Sequence, residues 1–316
     1  MKIVIFGGAG HVGTYLVDNL WKLSIGLEEI IIVDKIQSQR YDTIYGRSKA
    51  RKTKVKVMAL DELVRSDIVA LESCDILLHL AAETNPSLTD GTLDHFMKLN
   101  FETTKVAIDI ARHTKLPIIF TSSTSVYDKS GHKLSESEDI YNPPNAYAKC
   151  KYLEEQLFKN YFLEGGKGAI LRMGTIHGFS RGMKFHTAVN KLSLQAILRK
   201  KLTVWQTALD QYRPYLSLVD LQNALNTLWA AKQFSGETYN LATSHYTVAQ
   251  ILLIFKDIFG ENIPIEIIES QAMNNLSFTV STDKFKALGF SFSGSLREDI
   301  IEVKEMFDLD SSERSF

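Results

Sequence analysis

The sequence predicts an α/β protein: a doubly wound parallel sheet with a smaller C-terminal lobe. Three observations predict it. An apolar run at residues 2–6 ends in a glycine-rich turn, Gly7-Gly8-Ala9-Gly10-His11-Val12-Gly13. A second apolar run, Ile30-Ile31-Ile32-Val33, ends in Asp34, about twenty residues after the last glycine. Strand-like and helix-like segments then alternate through the first half of the chain, the pattern of a parallel sheet covered by helices on both faces.

The first strand is Lys2-Ile3-Val4-Ile5-Phe6, and a helical pattern resumes at Thr14-Tyr15-Leu16-Val17. The glycines therefore occupy a strand-to-helix turn. Their spacing reads as Gly8-x-Gly10-x-x-Gly13 or as Gly7-x-x-Gly10-x-x-Gly13. The first glycine allows the tight turn, the next lets the backbone approach a pyrophosphate, and Gly13 lets the helix pack closely on the strand. The helix N-terminus offers unpaired N–H groups to that anion. Strand, turn, helix, strand and acid make one Rossmann-type dinucleotide-binding unit. Asp34 can accept hydrogen bonds from the adenosine ribose, which favours NAD over NADP. The alternative is a solvated acid at a strand end.

Further strands are expected near 55–58, 75–80, 117–121 and 168–171. Helices are expected from Asp61, over 93–113 and over 145–163. These elements form a dinucleotide-binding domain over residues 1–171. After Arg172 the pattern changes to glycine-rich loops, a helix near 187–200 and short apolar pieces such as Leu202-Thr203-Val204-Trp205. A smaller substrate-binding lobe is placed over 172–316, with the segment near 215–235 packing back on the first domain. A last helix follows Ser293-Gly294-Ser295, where a serine can cap it. The tail from Asp308 is polar and expected to fray.

Composition narrows the classes. The chain has 316 residues, 45% hydrophobic and 23% charged, with a net charge of -1. No global charge draws it to nucleic acid or to a membrane, and its apolar runs are too short to span a bilayer. The two cysteines, Cys74 and Cys150, suggest a reducing compartment without a disulfide framework. The N-terminus enters a strand directly, so no signal peptide is expected and the setting reads as cytoplasmic. A basic run, Arg47, Lys49, Arg51, Lys52, Lys54 and Lys56, reads as a solvated loop. Its alternative, a contact to an NADP 2′-phosphate, is opposed by Asp34. His11, His177 and His186 lack metal-ligand spacing and read as structural, and no metal site is expected. Trp21, Trp205 and Trp229 read as core or interface residues.

Tyr147-Ala148-Lys149-Cys150-Lys151 puts a phenol and an ammonium four residues apart, on one helix face. A nearby cation lowers a phenol's pKa towards working pH. Tyr147 could then exchange a proton with a substrate hydroxyl while a nicotinamide takes or gives hydride. Upstream, Ile118-Ile119-Phe120-Thr121-Ser122-Ser123 is a buried strand ending in hydroxyls, where side chains point into the ligand crevice of a parallel sheet. The bland alternatives are a surface pair on an amphipathic helix and strand-end capping.

With these motifs the chain resembles the extended short-chain dehydrogenases/reductases of the NAD-dependent nucleotide-sugar epimerase/dehydratase family over nearly its whole length. The resemblance implies Ser123, four positions before the tyrosine of Val126-Tyr127, as the catalytic hydroxyl. It implies Tyr147 as acid/base and Lys151 as the ribose-binding residue that tunes it. Around NAD it implies Gly7, Gly10, His11, Val12, Gly13, Asp34, Asp61 at adenine, Leu80, Ala81, Ala82 and the helix residue Asn100. For the substrate it implies Thr84, Ser123, Thr124, Thr175, Asn190 and Arg213, the last two holding a nucleotide diphosphate. Thr175 stands where the family carries asparagine in Arg172-x-x-Thr175-x-x-Gly178, and Asp220 matches a mainly structural position.

The implied activity is NAD-dependent oxidation at C4 of a nucleotide-diphosphate sugar through a 4-keto species, as an epimerase or C4 dehydrogenase. A 4-keto reductase uses the same residues. The family's 4,6-dehydratases carry Asp-Glu after the catalytic hydroxyl, where this chain has Thr124-Ser125, so dehydration ranks lower. A reductase of steroid-like or flavonoid-like alcohols is disfavoured by Arg213. A non-catalytic dinucleotide sensor is disfavoured by the intact Ser123, Tyr147 and Lys151. The family also implies a homodimer, or a dimer of dimers, paired through the helices near 93–113 and 145–163. Phe96, Leu99, Val106, Ile110, Leu153, Leu157 and Tyr161 supply their apolar positions.

Overall fold

Alternate side chains of the first two strands enter opposite cores. In β1 (Lys2–Phe6), Ile3 and Ile5 join one cluster while Val4 and Phe6 join another. β2 (Glu29–Asp34) divides Ile30 and Ile32 from Ile31 and Val33 in the same way. A strand apolar on both faces needs a helical layer on each side. The computed structural model supplies both layers, and it describes residues 1–22, 26–35, 53–84, 92–269 and 276–307.

β3 (Lys54–Ala59), β4 (Ile76–His79), β5 (Ile118–Ser123) and the strands Gly168–Met173 and Ser235–Leu241 complete a seven-stranded sheet. Every pairing in it is parallel. Its order runs Ser235–Leu241, Gly168–Met173, β5, β4, β1, β2, β3. The winding therefore reverses between β1 and β4, which opens a crevice beyond their carboxyl ends.

One layer contains helix α1 (His11–Asn19) and the Leu218–Ala230 helix. Leu16, Val17, Leu221, Ala224, Leu225 and Leu228 pack there on Ile3 and Ile5. The other contains the Glu102–Thr114 and Ala146–Leu163 helices, which contribute Ala107, Ile108, Ala111, Phe158 and Tyr161. A separate core joins Val189, Leu192, Ile251, Phe255, Leu296 and Ile300 from three later helices. Asp220 ties the late chain to the sheet layer. It accepts from the backbone N–H groups of Ser293 at 2.8 Å and Gly294 at 3.1 Å, and from the Thr243 hydroxyl at 2.5 Å. The Ser295 hydroxyl caps the last helix by accepting from the Glu298 N–H at 3.3 Å.

Three elements differ from the sequence expectation. The strand Ser235–Leu241, in the stretch assigned to the later lobe, pairs with Gly168–Met173 as the edge of the central sheet, because its buried Tyr239 and Leu241 join the core on one sheet face. No helix starts at Asp61: Leu60–Glu62 is one 3-10 turn, Leu63 and Val64 are extended, and the helix is Arg65–Leu71. Its start is fixed by the Asp67 carboxylate, which accepts from the Val64 N–H at 3.0 Å. The helix over 93–113 is not uniformly α. Leu93–Phe96 passes through a π-helical turn, Met97–Phe101, into Glu102–Thr114. Of the basic run, Arg47, Lys49, Arg51 and Lys52 lie outside the described residues, as does the tail from Asp308. Lys56 pairs with Glu29 at 2.8 Å. Both cysteines are buried free thiols. Among the described residues no helix is long and apolar enough to cross a membrane.

Candidate active site

The crevice is a cavity of about 610 Å³ lined by residues of the central sheet's strand ends and of the chain after Met173. Its floor begins at the glycine turn. Gly7 has φ +81°, and a Cβ there would lie 2.6 Å from the Ala81 backbone. A Cβ on Gly13 would lie 2.4 Å from the Gly7 carbonyl oxygen. Neither position accepts a side chain, and the backbone is left bare where α1 begins. Gly10 is the N-cap of α1 and provides no side-chain cap. Asp34 is buried, lines the cavity and accepts from the Ala9 N–H at 2.9 Å, so the acid is braced against the turn. Gly7, Gly10, Gly13 and Val12 line the cavity with Leu80, Ala81 and Ala82 from the end of β4. This side-chain-free cradle with an acid at its far end fits a dinucleotide.

Two expected cofactor contacts sit differently. Asp61 is exposed and does not line the cavity; its neighbour Leu60 does. The His11 ring lines the cavity, but its Nε2 is 3.0 Å from the Gly178 carbonyl oxygen, so it bridges to the later chain. Burial pushes its pKa down to about 4 against that hydrogen bond, which keeps the ring neutral and makes it the donor.

β5 and the Ala146–Leu163 helix carry Ser123, Tyr147 and Lys151. Asn145 caps that helix, its Oδ1 accepting from the Ala148 N–H at 2.9 Å, and so sets Tyr147 in the first turn. Ser123 ends β5, and its hydroxyl reaches both the Ser125 N–H, at 3.1 Å, and the Tyr147 phenol. Lys151 lies one turn on, 2% exposed. Its Nζ is 3.1 Å from Glu154, 3.4 Å from the Thr121 carbonyl oxygen and 4.7 Å from the centre of the Phe120 ring. Ser123, Tyr147 and Lys151 thus converge on one wall of the cavity.

The electrostatics differ from the expectation that Lys151 alone brings Tyr147 down. Burial raises the Tyr147 phenol above its usual range; Lys151 opposes this, Glu154 adds to it, and the Ser123 hydrogen bond lowers it again. For Lys151, burial works against the charge, but Glu154 and Tyr147 outweigh it and hold the ammonium above its usual pKa. The cation's field is shared with a carboxylate that the sequence reading did not weigh.

Asn100 does not touch this pair through its side chain. It sits in the π-helical turn, its Oδ1 accepting from the Glu83 N–H at 2.7 Å and its Nδ2 donating to the Glu83 carbonyl oxygen at 2.9 Å. It clamps the segment leading to Thr84. Thr84, Thr124, Thr175 and Arg213 all line the cavity. Arg213 donates to Gln211 Oε1 at 3.0 Å and to the Leu276 carbonyl oxygen, and its guanidinium lies 5.2 Å from the centre of the Phe278 ring. Asn190 is a correction: it is wholly buried behind the wall, and its Nδ2 donates to the Lys184 carbonyl oxygen at 2.9 Å.

Several lining residues escaped the sequence reading. His186, which its spacing marks as structural, lines the cavity and sits 3.1 Å from the Thr84 hydroxyl across the cleft. Lys184, Gln211, Tyr215 and Phe278 line it as well. Trp205, taken as core or interface, is 42% exposed and faces the same cavity. No local spacing marks these residues, because separate loops and the short strands Leu202–Trp205, Arg213–Ser217 and Phe278–Val280 of the later chain deliver them. Among the described residues no group of three or more His, Cys, Asp or Glu is placed to hold a metal ion.

Comparison with known proteins places the chain in a family. The NAD dependent epimerase/dehydratase family matches residues 3–242. The ADP-L-glycero-D-manno-heptose-6-epimerase of Brachyspira hyodysenteriae is 30% identical over 81% of this chain and 81% of its own length. The UDP-N-acetyl-alpha-D-glucosaminuronate decarboxylase of Bacillus cytotoxicus is 29% identical, over 56% of this chain and 55% of its own length. The UDP-glucuronic acid 4-epimerase of Bacillus cereus, solved with UDP-glucuronic acid and NAD, shares the fold. Its TM-score is 0.84 at 21% identity, over 97% of this chain and 99% of that one. Fold and site thus define an NAD-dependent enzyme of the extended short-chain dehydrogenase/reductase type. The chain belongs to the NAD dependent epimerase/dehydratase family, whose relatives here include nucleotide-sugar epimerases and decarboxylases.

The braced Asp34 yields a cofactor prediction. NAD should bind more tightly than NADP, and Asp34→Ala should weaken NAD by about 1.5–3 kcal/mol, the range for a hydrogen bond to a charged group. Calorimetry with both cofactors checks this. Tighter binding of NADP by the unaltered protein would contradict it.

Proposed function

We propose that the protein oxidises a nucleotide-diphosphate sugar at C4 to a 4-keto species, acting as an epimerase or a C4 dehydrogenase. The observation that carries this reading is the convergence of Ser123, Tyr147 and Lys151 on one wall of a dinucleotide cleft whose other lobe offers Arg213. Bound NAD supplies the reversible two-electron oxidation of the sugar carbon. Ser123 hydrogen-bonds the reacting oxygen and holds it beside the Tyr147 phenol. Tyr147 as phenolate takes the hydroxyl proton and returns it when the ketone is reduced. Lys151, with its charge fixed by Glu154, favours the phenolate through its field. Arg213 suits a diphosphate because a guanidinium binds phosphate oxygens in a planar fork.

Elimination of water is not favoured, since Thr124 and Ser125 follow the catalytic hydroxyl and neither is an acid at neutral pH. A reductase acting on a 4-keto sugar would use the same residues in reverse. Two buried thiols and no disulfide suit a reducing, cytoplasmic setting.

In the oxidative direction turnover requires the phenolate. Because burial holds the Tyr147 pKa up, turnover should rise with pH through that pKa, and reductive turnover should fall over the same window. Tyr147→Phe should remove this dependence and lower turnover by about 10²–10⁴-fold with NAD affinity retained. Steady-state rates across pH check it, and near-normal turnover of the variant would sink the assignment.

Arg213→Ala should weaken a nucleotide-diphosphate sugar by about 2–5 kcal/mol, the range for breaking a desolvated charge pair. Calorimetry with UDP, GDP, dTDP and CDP sugars reads this directly. Unchanged affinity for whichever sugar binds would take Arg213 out of the site.

The active form is read as a homodimer or a dimer of dimers. Phe96, Ile110 and Tyr161 are buried within the chain and cannot serve an interface. Val106 and Leu153, 42% and 36% exposed on neighbouring helices, remain as its apolar centre, with Leu157 partly buried one turn on from Leu153, whereas Leu99 lines the cavity. Light scattering should give at least twice the 35.7 kDa of one chain, and Leu153→Asp should lower that mass. A single-chain mass for the unaltered protein would refute the pairing.

A further inference from the structure

Glu154 and Glu155 are adjacent, both wholly buried, and committed to different cations. Glu155 forms a two-pronged pair with Arg172, at 2.9 and 2.8 Å, and accepts from the Ser122 hydroxyl at 2.6 Å. It braces the sheet. Glu154 instead turns to the site. Its Oε2 lies 3.1 Å from Lys151 Nζ, and its Oε1 accepts from the Thr104 hydroxyl at 2.5 Å. Thr104 Oγ1 is 2.8 Å from His79 Nε2. A threonine has one hydroxyl proton, and it is spent on Glu154, so His79 Nε2 must be the donor. Hydrogen bonds therefore point one way, from His79 through Thr104 to Glu154. His79 is clamped beside Phe6, Phe120 and Phe158, and its Nδ1 has no hydrogen-bond partner. The chain ends in the apolar core, so it conducts no proton to solvent. It holds a carboxylate still.

We propose that Glu154 is the positioning residue for Lys151: it fixes the ammonium in one place beside Tyr147 and keeps it charged, and the Thr104–His79 chain fixes Glu154. A buried ion pair is no better for stability than apolar groups of similar volume. What it adds here is a cation that burial cannot neutralise. Lys151 and Tyr147 share one cavity wall, and the loss of one proton from them leaves two arrangements. One is ammonium with phenolate, the other amine with phenol. Only the first can accept a sugar proton. Glu154 selects it.

The other titratable neighbours do not compete for this role. Cys150, on the same helix, is pushed up to about 12 by burial and stays a thiol. His79, on β4, is pushed down to about 3 by burial and stays neutral. Glu155 is matched by Arg172. Ser123, on β5, contributes only a hydrogen bond to Tyr147.

The inference rests on Tyr147 and Lys151 as the proton-transfer pair, so its test needs no substrate. The NAD-loaded protein is titrated with alkali while tyrosinate absorbance is recorded, and the Tyr147→Phe curve is subtracted to isolate Tyr147. In Glu154→Gln the missing negative charge should bring the onset to lower pH by about one unit or more. The step should also split, because an unpaired Lys151 now gives up its proton in competition. Glu154→Asp should restore a single step. A Glu154→Gln curve that coincides with the unaltered protein's, or that moves without splitting as the bare loss of a negative charge would make it, overturns the proposal. If that variant does not fold, Thr104→Val decides: it frees the carboxylate to rotate away, and should shift the onset in the same direction by less. No shift there is equally fatal. Turnover is measured separately on a nucleotide sugar the enzyme accepts. A shifted titration with normal turnover in Tyr147→Phe would leave the positioning role standing and remove the catalytic reading.

Discussion

Everything at the site depends on how closely the turn after β1 approaches the end of β4. The two strands are parallel neighbours with opposite windings on either side, and Gly7 comes so near the Ala81 backbone that no Cβ fits between them. Close approach forms the cradle's floor. The same crowding at Gly13 seats α1 against the turn, so the unpaired N–H groups of its first residues begin where the floor ends. A methyl group at either glycine would push the parts of the cradle away from each other.

Beside this apolar and glycine-lined floor, the wall that carries Ser123, Tyr147 and Lys151 is backed by buried charges in matched pairs. The Ala146–Leu163 helix carries the acids of two pairs on consecutive residues. Glu155 with Arg172 crosses to the neighbouring strand and satisfies Ser122, fixing the end of β5 from below. Glu154 with Lys151 stays within the helix, and of the two Lys151 lines the cavity. Burial makes each lone charge costly and each pair rigid. The same burial raises the Tyr147 phenol, so the fixed cation is needed to offset a penalty that the fold itself creates.

The first half of the site was legible because its signals are local. Gly7 to Gly13 and Asp34 belong to one βαβ unit, and Tyr147 and Lys151 to one helical turn. Short-range periodicity is enough to place them on a common face. Asn190, Asp61 and His186 were misjudged for the opposite reason. Asn190 has a polar side chain at a position the wall covers, and Asp61 lies on a turn whose inward residue is Leu60. His186 has no motif around it and reaches Thr84 from 102 positions away. The electrostatic role of Lys151 was half visible: its spacing to Tyr147 is in the sequence, whereas its partner Glu154 reads as one more acid on an amphipathic helix.

The sequence by itself determined the sheet strands as far as Gly168–Met173, the dinucleotide turn and the Tyr147–Lys151 spacing, because each follows from periods of two or 3.6 residues and from glycines where no side chain fits; Ser123 follows only from the family resemblance, and the edge strand Ser235–Leu241 only from the tertiary structure. Tertiary structure alone decided which charges are buried together, which face of the later chain closes the cleft, and that Thr104 and His79 stand behind Glu154. Those relations join β4, the Glu102–Thr114 helix and the Ala146–Leu163 helix across 25 and 50 positions of sequence. Packing brings such residues together by shape and burial, and neither is written in the spacing of a single segment.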